Sequence, residues 1–566
     1  MKHPQDYPDG VPISIKYPEM PLHEFWANST RKFPDREAII YLGARYTYSE
    51  IWEKIQSFAG HLETLGIGRG DKIGLILPNC PQYIIAYYSA MLLGATVVAV
   101  NPLMAVDEIE RQVKSTECKI LVILDRLLDR LPNKHPRLIV ARGAHYAPPL
   151  LRLLSGIKYR NKAIPERVII FEDLLRGPKL AKPVDIDPKE DIATIMFTSG
   201  TTGQPKGVML SHYALMANAL QSYYWLRGWG YSSKPQSAGY PIILCAMPFF
   251  HSYGLVVLNE AVSFGCTMVL LPKPTGDSIL KAIQRYKITH APLIPRLIRE
   301  MLLHQDSGKY DLSSLTTSSS GGAPIQEDDM RRFEKIAGVR LYQGYGLTEA
   351  GPSVSASTLL GNPNYSSVGL QYPDTDVKIV DLQIGEVELP SGEIGEIVVR
   401  GPQLMKGYWK DTDTTSELIK DGWLHTRDTG YMDEKGHLYI VGRKSEGILA
   451  SGHRIWPTEV EEALNRHPKV ELSVAFGVPD PLRCSTDIRA GVKLVEGIEP
   501  SPQVEEELLS YCHKELEEYQ VPATITFWED IPITPMGKID RVKIMEEIDE
   551  KIKELMQESK IPQEYL

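Results

Sequence analysis

The chain has 566 residues, 43% of them apolar and 24% charged, with a formal net charge of −10. That length exceeds what one hydrophobic core supports, so it predicts at least two domains of ordinary globular composition. The negative balance argues against a nucleic-acid binder, whose affinity rests on neutralising backbone phosphates, and no nucleic-acid partner is expected.

Residues up to about 35 are Pro-rich, and MKHPQDYPDG at the start lacks the apolar stretch of a signal peptide. Thr47-Tyr48-Ser49-Glu50 has the form of a capping box, with Ile51, Ile55, Phe58 and Leu62 at helical spacing behind it. Residues 72–77, 96–100 and 119–124 read as short buried strands. Residues 83–100 carry no charge and reach the length of a membrane span. Pro81 before them and Gly94 within them instead predict a helix followed by a strand. Helices alternating with apolar strands imply a mostly parallel α/β sheet. From 125 to 187 prolines punctuate the pattern, and 150–162 (LLRLLSGIKYRNK) is a basic amphipathic piece.

Residues 191–197 (DIATIMF) predict a strand, and the segment after Val208-Met209-Leu210 predicts a helix. Between them lies TSGTTGQPKG, residues 198–207. Its hydroxyls, glycines and Lys206 suit a concavity for phosphate oxygens. It is not the common phosphate loop, because Pro205 stands where the second glycine belongs. Further on come an aromatic cluster (Tyr223, Tyr224, Trp225, Trp229) and an aromatic stretch from Met247 through His251 to Gly254. The cluster either lines a tunnel or packs as core. Two glycine-rich stretches follow, 318–324 (SSSGGAP) and 342–349 (YQGYGLTE). Residues 377–441 are rich in strands and turns, and helices are expected at 458–465, 505–516 and 543–556. The last of these has an apolar stripe of Ile544, Ile548, Ile552 and Met556. Cys80, Cys118, Cys245, Cys266, Cys484 and Cys512 form no C-x-x-C pair and read as reduced thiols of a cytoplasmic protein.

Five stretches, 198–207, 247–254, 318–349, 421–443 and 532–541, resemble in order and spacing the motifs of the adenylate-forming superfamily. Its members are acyl-CoA synthetases, luciferases and peptide-synthetase adenylation domains. The resemblance implies an α/β multidomain fold. A large N-terminal domain of parallel-sheet α/β layers spans 1–443 and includes a small β-barrel subdomain near 355–441. A smaller, mobile C-terminal α/β domain spans 444–566 and carries the catalytic lysine.

It also implies roles. Thr198, Ser199, Gly200, Thr201, Thr202 and Lys206 would cradle the phosphates of ATP. Gly322, Ala323, Pro324, Gln343 and Gly344 would let backbone approach adenine, with Tyr345 stacking on the ring. Thr348 would bond a phosphate oxygen and Glu349 would hold Mg²⁺. His251 would orient the substrate carboxylate, although a lone histidine in an apolar run also serves as a core residue. Asp428 and Arg443 would hold the ribose hydroxyls, and Lys538 would stabilise charge during adenylation. Ser451-Gly452-His453-Arg454-Ile455 is similar to the pantetheine-lining segment, so Gly452 and His453 are assigned to coenzyme A.

The implied activity is acyl-CoA synthesis by way of acyl-AMP, on a medium- or long-chain fatty acid. The alternatives are the same chemistry on an aryl, alicyclic or short branched acid, or a non-catalytic nucleotide-binding relative. The partners are the acid and coenzyme A, with a weak membrane-surface contact and a homodimer as further expectations. Two positions depart from the family pattern. Ser445 stands where relatives carry Asp or Lys at the hinge, and Cys484-Ser485 stands where Gly-Glu is usual.

Overall fold

In the computed structural model the described residues are 6–131, 135–150, 152–153, 168–198, 205–228, 241–359, 362–450, 453–480, 485–534 and 538–548. They fall in two compact units. One lies within Met1–Gly200, Gln204–Val377 and Val399–Leu424, the other within Lys378–Val398 and His425–Leu566.

The first unit is built on local signals that the chain carries openly. Thr47 accepts from the Glu50 N–H, and the Glu50 side chain accepts from the Thr47 N–H, closing a capping box on helix Tyr48–Thr64. Ile51, Ile55, Phe58 and Leu62 are fully buried along one face of that helix. The uncharged run is a helix, Pro81–Leu92, buried on every side, followed by the buried strand Thr96–Ala99. A helix apolar all round belongs inside a layered core. Among the described residues no helix is long and apolar enough to cross a membrane.

Two sheets form the body of this unit. In the eight-stranded sheet the order is 407–408, 206–211, 192–198, 96–99, 72–76, 120–124, 137–141 and 169–170. The six strands from 192–198 to 169–170 run parallel, each to the next. In the nine-stranded sheet the order is 370–371, 353–356, 341–346, 317–320, 290–293, 242–245, 267–270, 37–41 and 44–47. Its middle strands are parallel, and antiparallel pairs close both edges. Trp225 is fully buried and packs edge-on against Tyr7 and Tyr372, so it is core. Trp229, Pro132, Pro165 and most of the basic piece at 150–162 lie outside the described residues.

In the second unit the strands Val470–Asp480, Ser485–Leu494 and Thr524–Phe527 form a sheet. The period of two sends Ala475 to one face, with Val460, Leu464 and Leu508 of helices Pro457–Asn465 and Pro502–Glu515. Val474, Phe476 and Val478 face the other way and meet Ile544 and Ile548. Those two isoleucines begin the expected stripe, while Ile552 and Met556 lie outside the described residues.

Candidate active site

Strand Ile192–Thr198 pairs antiparallel with strand Lys206–Ser211, Thr198 opposite Lys206, before helix His212–Gly228 begins. The expected helix follows Val208-Met209-Leu210, but those three residues belong to a strand of their own that the sequence reading did not assign. Three apolar residues in a row do not reveal a strand. Pairing does, since Val208 and Leu210 are buried while Met209 is half-buried between them. Ser199, Gly200, Thr201 and Thr202 lie outside the described residues. The Lys206 ammonium sits 2.9 Å from the Asp411 carboxylate, donates to the Thr414 hydroxyl and lies 5.5 Å from the centre of the Tyr408 ring.

The other first-unit motifs follow the carboxyl ends of parallel strands of the nine-stranded sheet, where open α/β sheets place their ligands. Strand Ile242–Cys245 leads into the His251 stretch, strand Thr317–Ser320 into Gly322-Ala323-Pro324, and strand Leu341–Gly346 into Thr348 and Glu349. Gly322 has a φ of +84°, which a glycine adopts without strain. A Cβ at Gly346 would lie 1.9 Å from the Pro352 carbonyl oxygen, so the turn before Thr348 requires its glycine.

Direct bonds join these motifs. Tyr408 donates to Glu349 Oε1 at 2.7 Å, and the Glu349 carbonyl accepts from the Met405 N–H. The Thr348 and Ser252 hydroxyls are 3.2 Å apart. His251 precedes helix Ser252–Ser263 and caps it, its Nδ1 accepting from the Tyr253 N–H at 3.2 Å. That bond puts the hydrogen of the neutral ring on Nε2. Tyr253 bonds Ser319 at 3.0 Å. Gly344 and Tyr345 are half-buried at the end of their strand, as are Gly322 and Ala323, while Pro324 is exposed. Gln343 is buried, and its amide donates to the carbonyls of Tyr365 and Ser367, so its side chain braces the strand from inside.

Sequence reasoning missed Asn79. Its buried amide donates to the carbonyls of Cys245 and Met247 at 2.9 and 2.7 Å and accepts from the Phe249 N–H at 2.8 Å. It thereby fixes the chain entering the His251 stretch. Tyr408, Asp411 and Thr414 were missed as well. A proline-flanked Asn and a charged turn carry no local signal of a role; only the fold brings them to the motifs.

In the second unit Asp428 and Arg443 are opposite residues of an antiparallel pair, strands Trp423–Met432 and Leu438–Arg443. The Arg443 Nε is 2.8 Å from the buried Asp428 carboxylate. Lys444 donates to Glu396 at 2.7 Å, and His425 lies 3.6 Å from the same group. Burial pushes the Glu396 carboxyl up, but these two partners outweigh it and hold it down at about 2. Ser445 is exposed beside this anchor. His453 is exposed and stacks on Tyr519 at 4.1 Å, while Gly452 and Cys484 lie outside the described residues.

Lys538 is exposed, its carbonyl accepts from the Thr534 N–H, and Ile533 bridges Ile539 antiparallel. Three residues on, Arg541 binds both oxygens of the buried Glu461 carboxylate at 2.9 Å. It also bonds Glu446 at 3.1 Å and the Ala475 carbonyl at 3.2 Å. This fork ties the chain just after Lys538 to helix Pro457–Asn465.

Among the described residues no three His, Cys, Asp or Glu side chains cluster as a metal site. Magnesium needs no such cluster, since it takes one or two carboxylates with phosphates and water. Glu349, half-buried and oriented by Tyr408, fits that demand. The cysteines Cys80, Cys118, Cys245, Cys266 and Cys512 are free and buried.

The profile of the AMP-binding enzyme family matches residues 26–409, and that of the AMP-binding enzyme C-terminal domain matches residues 459–538. A long-chain-fatty-acid–CoA ligase of Bacillus subtilis (strain 168) is 35% identical over 96% of this chain and 97% of its own. The 4-coumarate–CoA ligase 1 of Arabidopsis thaliana is 31% identical over 92% of this chain and 91% of its own. Among solved structures, ATP-bound MatB from Rhodopseudomonas palustris has the same fold, with a TM-score of 0.78 at 24% identity over 93% of this chain and 99% of its own.

Proposed function

Because the chain belongs to the AMP-binding enzyme family, we propose that it is an ATP-dependent, AMP-forming acyl-CoA synthetase acting in the cytoplasm on a medium- or long-chain fatty acid. The observation that carries this reading is the near-full-length similarity to a fatty-acid ligase. The Tyr408–Glu349 hydrogen bond, with the Lys206 ammonium 5.5 Å from the centre of the same ring, supports it.

In this reading the acid's carboxylate oxygen attacks the α-phosphorus of ATP. The bond to the bridging oxygen breaks, and pyrophosphate leaves. The thiolate of coenzyme A then adds to the acyl carbonyl and expels AMP. Thr198, Lys206 and Thr348 hold phosphate oxygens, with Ser199, Gly200, Thr201 and Thr202 completing the cradle. Magnesium, held through Glu349 and the phosphates, would supply charge neutralisation for the leaving group. Gly322 to Pro324, Gln343 and Gly344 border the adenine, on which Tyr345 stacks, and Asp428 and Arg443 take the ribose. His251 donates from Nε2 to the substrate carboxylate, consistent with its cap bond through Nδ1.

Lys538, carried by residues 444–566, stabilises charge at the α-phosphate. Gly452 and His453 border the pantetheine arm. Rotation of the C-terminal domain about the segment after Arg443 separates the two half-reactions. The similarity to a 4-coumarate ligase favours, as the second reading, the same chemistry on an aryl acid.

Pyrophosphate release measured over a panel of fatty and aryl acids, with and without coenzyme A, tests the assignment. Release with fatty acids, and a thioester product only when coenzyme A is present, is expected. Release with no acid in the panel would overturn it.

A further inference from the structure

Helix Ser252–Ser263 begins at the His251 cap and runs away from Thr348 into the body of the first unit. Tyr253, Val256, Val257 and Glu260 share one of its faces, since positions three, four and seven apart align. The Tyr253 end of that face touches the glycine-rich motif, through the bond to Ser319 and a contact in which a Cβ at Gly321 would lie 3.5 Å from the ring. At the other end Glu260, only 7% exposed, accepts a hydrogen bond from Ser222 of helix His212–Gly228 at 2.9 Å. The phenols of Tyr253, Tyr342 and Tyr372 and the Cys266 thiol lie within its electrostatic reach. Burial pushes its carboxyl up to about 7, with the Ser222 bond pulling the other way.

A carboxyl among aromatic and aliphatic side chains is unfavourable, and one serine hydroxyl does not offset it. A plain alkyl chain would gain nothing from such a group, and an isoleucine or leucine there would pack better. Nine residues of helix place Glu260 about 13 Å from His251. An acid whose carboxylate lies beside His251 and Thr348, and whose chain follows this face, brings its far end to the Glu260–Ser222 pair.

We propose that Glu260, with Ser222, is the distal specificity determinant of the acyl site and selects acids whose far end carries a hydroxyl group. This rests on the acyl-CoA synthetase reading given above and narrows its substrate class to hydroxylated acyl chains. Glu260 accepts the hydrogen bond that the hydroxyl donates. A chain ending in a methyl group leaves the carboxyl with the Ser222 bond alone, and the missing second bond discriminates between the two.

The test compares kcat/KM for a medium-chain alkanoic acid and its ω-hydroxy counterpart of equal length, in wild type and in the Glu260→Gln, Glu260→Leu and Ser222→Ala variants. Wild type is expected to favour the hydroxy acid by at least about tenfold. Glu260→Gln, near-isosteric and still an acceptor, keeps most of that preference, while Glu260→Leu reverses it toward the alkyl acid. Thermal melts identify a variant that has merely unfolded, and the Gln and Ala variants then carry the comparison. A wild type that prefers the alkyl acid, or a ratio that none of the variants moves, overturns the inference while leaving the synthetase reading intact. Absence of pyrophosphate release with every acid removes that reading and this inference together.

Discussion

Tyr408 holds Glu349 and faces Lys206 at once: its hydroxyl donates to the carboxylate at 2.7 Å, and its ring centre lies 5.5 Å from the ammonium. One phenol thus ties the metal-binding candidate to the phosphate-binding candidate, from a strand 59 residues beyond the glutamate. A hydrogen bond to a charged group contributes about 1.5–3 kcal/mol. Tyr408→Phe should therefore raise the Mg²⁺ concentration for half-maximal pyrophosphate release by about tenfold or more, and chelation should abolish release in both proteins. An unchanged magnesium titration would show that the phenol does not orient Glu349.

Lys538→Ala should lower adenylation by about 10²–10³-fold, the usual loss on removing one charged donor to a developing anion. Supplied acyl-AMP should still be converted to thioester at a near wild-type rate. Equal loss of both half-reactions would place the lysine elsewhere in the cycle.

Arg541 is a positioning residue for that lysine, through Glu461 and Glu446. Arg541→Ala leaves the buried Glu461 carboxylate without its fork, a loss of about 3–5 kcal/mol in a buried pair. We expect kcat for adenylation to fall while KM for ATP stays the same. Arg541→Lys should recover only part, since an ammonium cannot bind both carboxylate oxygens as a planar fork does. Full recovery by lysine would argue for charge alone.

Asn79 makes three bonds to one turn of backbone. Asn79→Ala strands those groups in a buried place, at about 1–3 kcal/mol for each one left unpaired. The chain entering the His251 stretch should loosen, raising KM for the acid more than KM for ATP. Equal changes in both constants would mean the effect is global.

The Glu260 carboxyl has its folded-state value raised from 4.5 to about 7, first by burial. A raised carboxyl contributes stability that is fully present below 4.5 and is lost as the pH climbs through 7, because the native state then holds the proton more tightly. The groups around it, Ser222, Tyr253, Tyr342, Tyr372 and Cys266, do not ionise in that window, burial having raised the four titratable ones. Relative to Glu260→Gln, wild type should lose roughly 3 kcal/mol between pH 4.5 and 8 in chemical denaturation. Parallel stability curves for the two proteins would show that the carboxyl is not desolvated.

Much of the molecule could be read from local patterns. The capping box at Thr47, the Pro81–Leu92 helix and the short apolar strands follow from side-chain chemistry acting within a few residues. The stretches around Lys206, Glu349 and Lys538 stand out in the sequence for a related reason, because glycines, hydroxyls and charges are concentrated there at close spacing. The strand Lys206–Ser211 was not legible, because only its pairing with strand Ile192–Thr198 distinguishes it from the approach to the helix.

What the chain alone determined, then, was the order of the elements and the identity of the chemistry-bearing stretches, each decided by neighbours in sequence. Only the tertiary structure decided that Tyr408 meets Glu349, that Asn79 clamps residues 166–170 positions away and that Glu260 faces Ser222 inside the core. Those pairings depend on which strands lie side by side and which helix faces turn inward, and buried polar groups find partners wherever packing brings them.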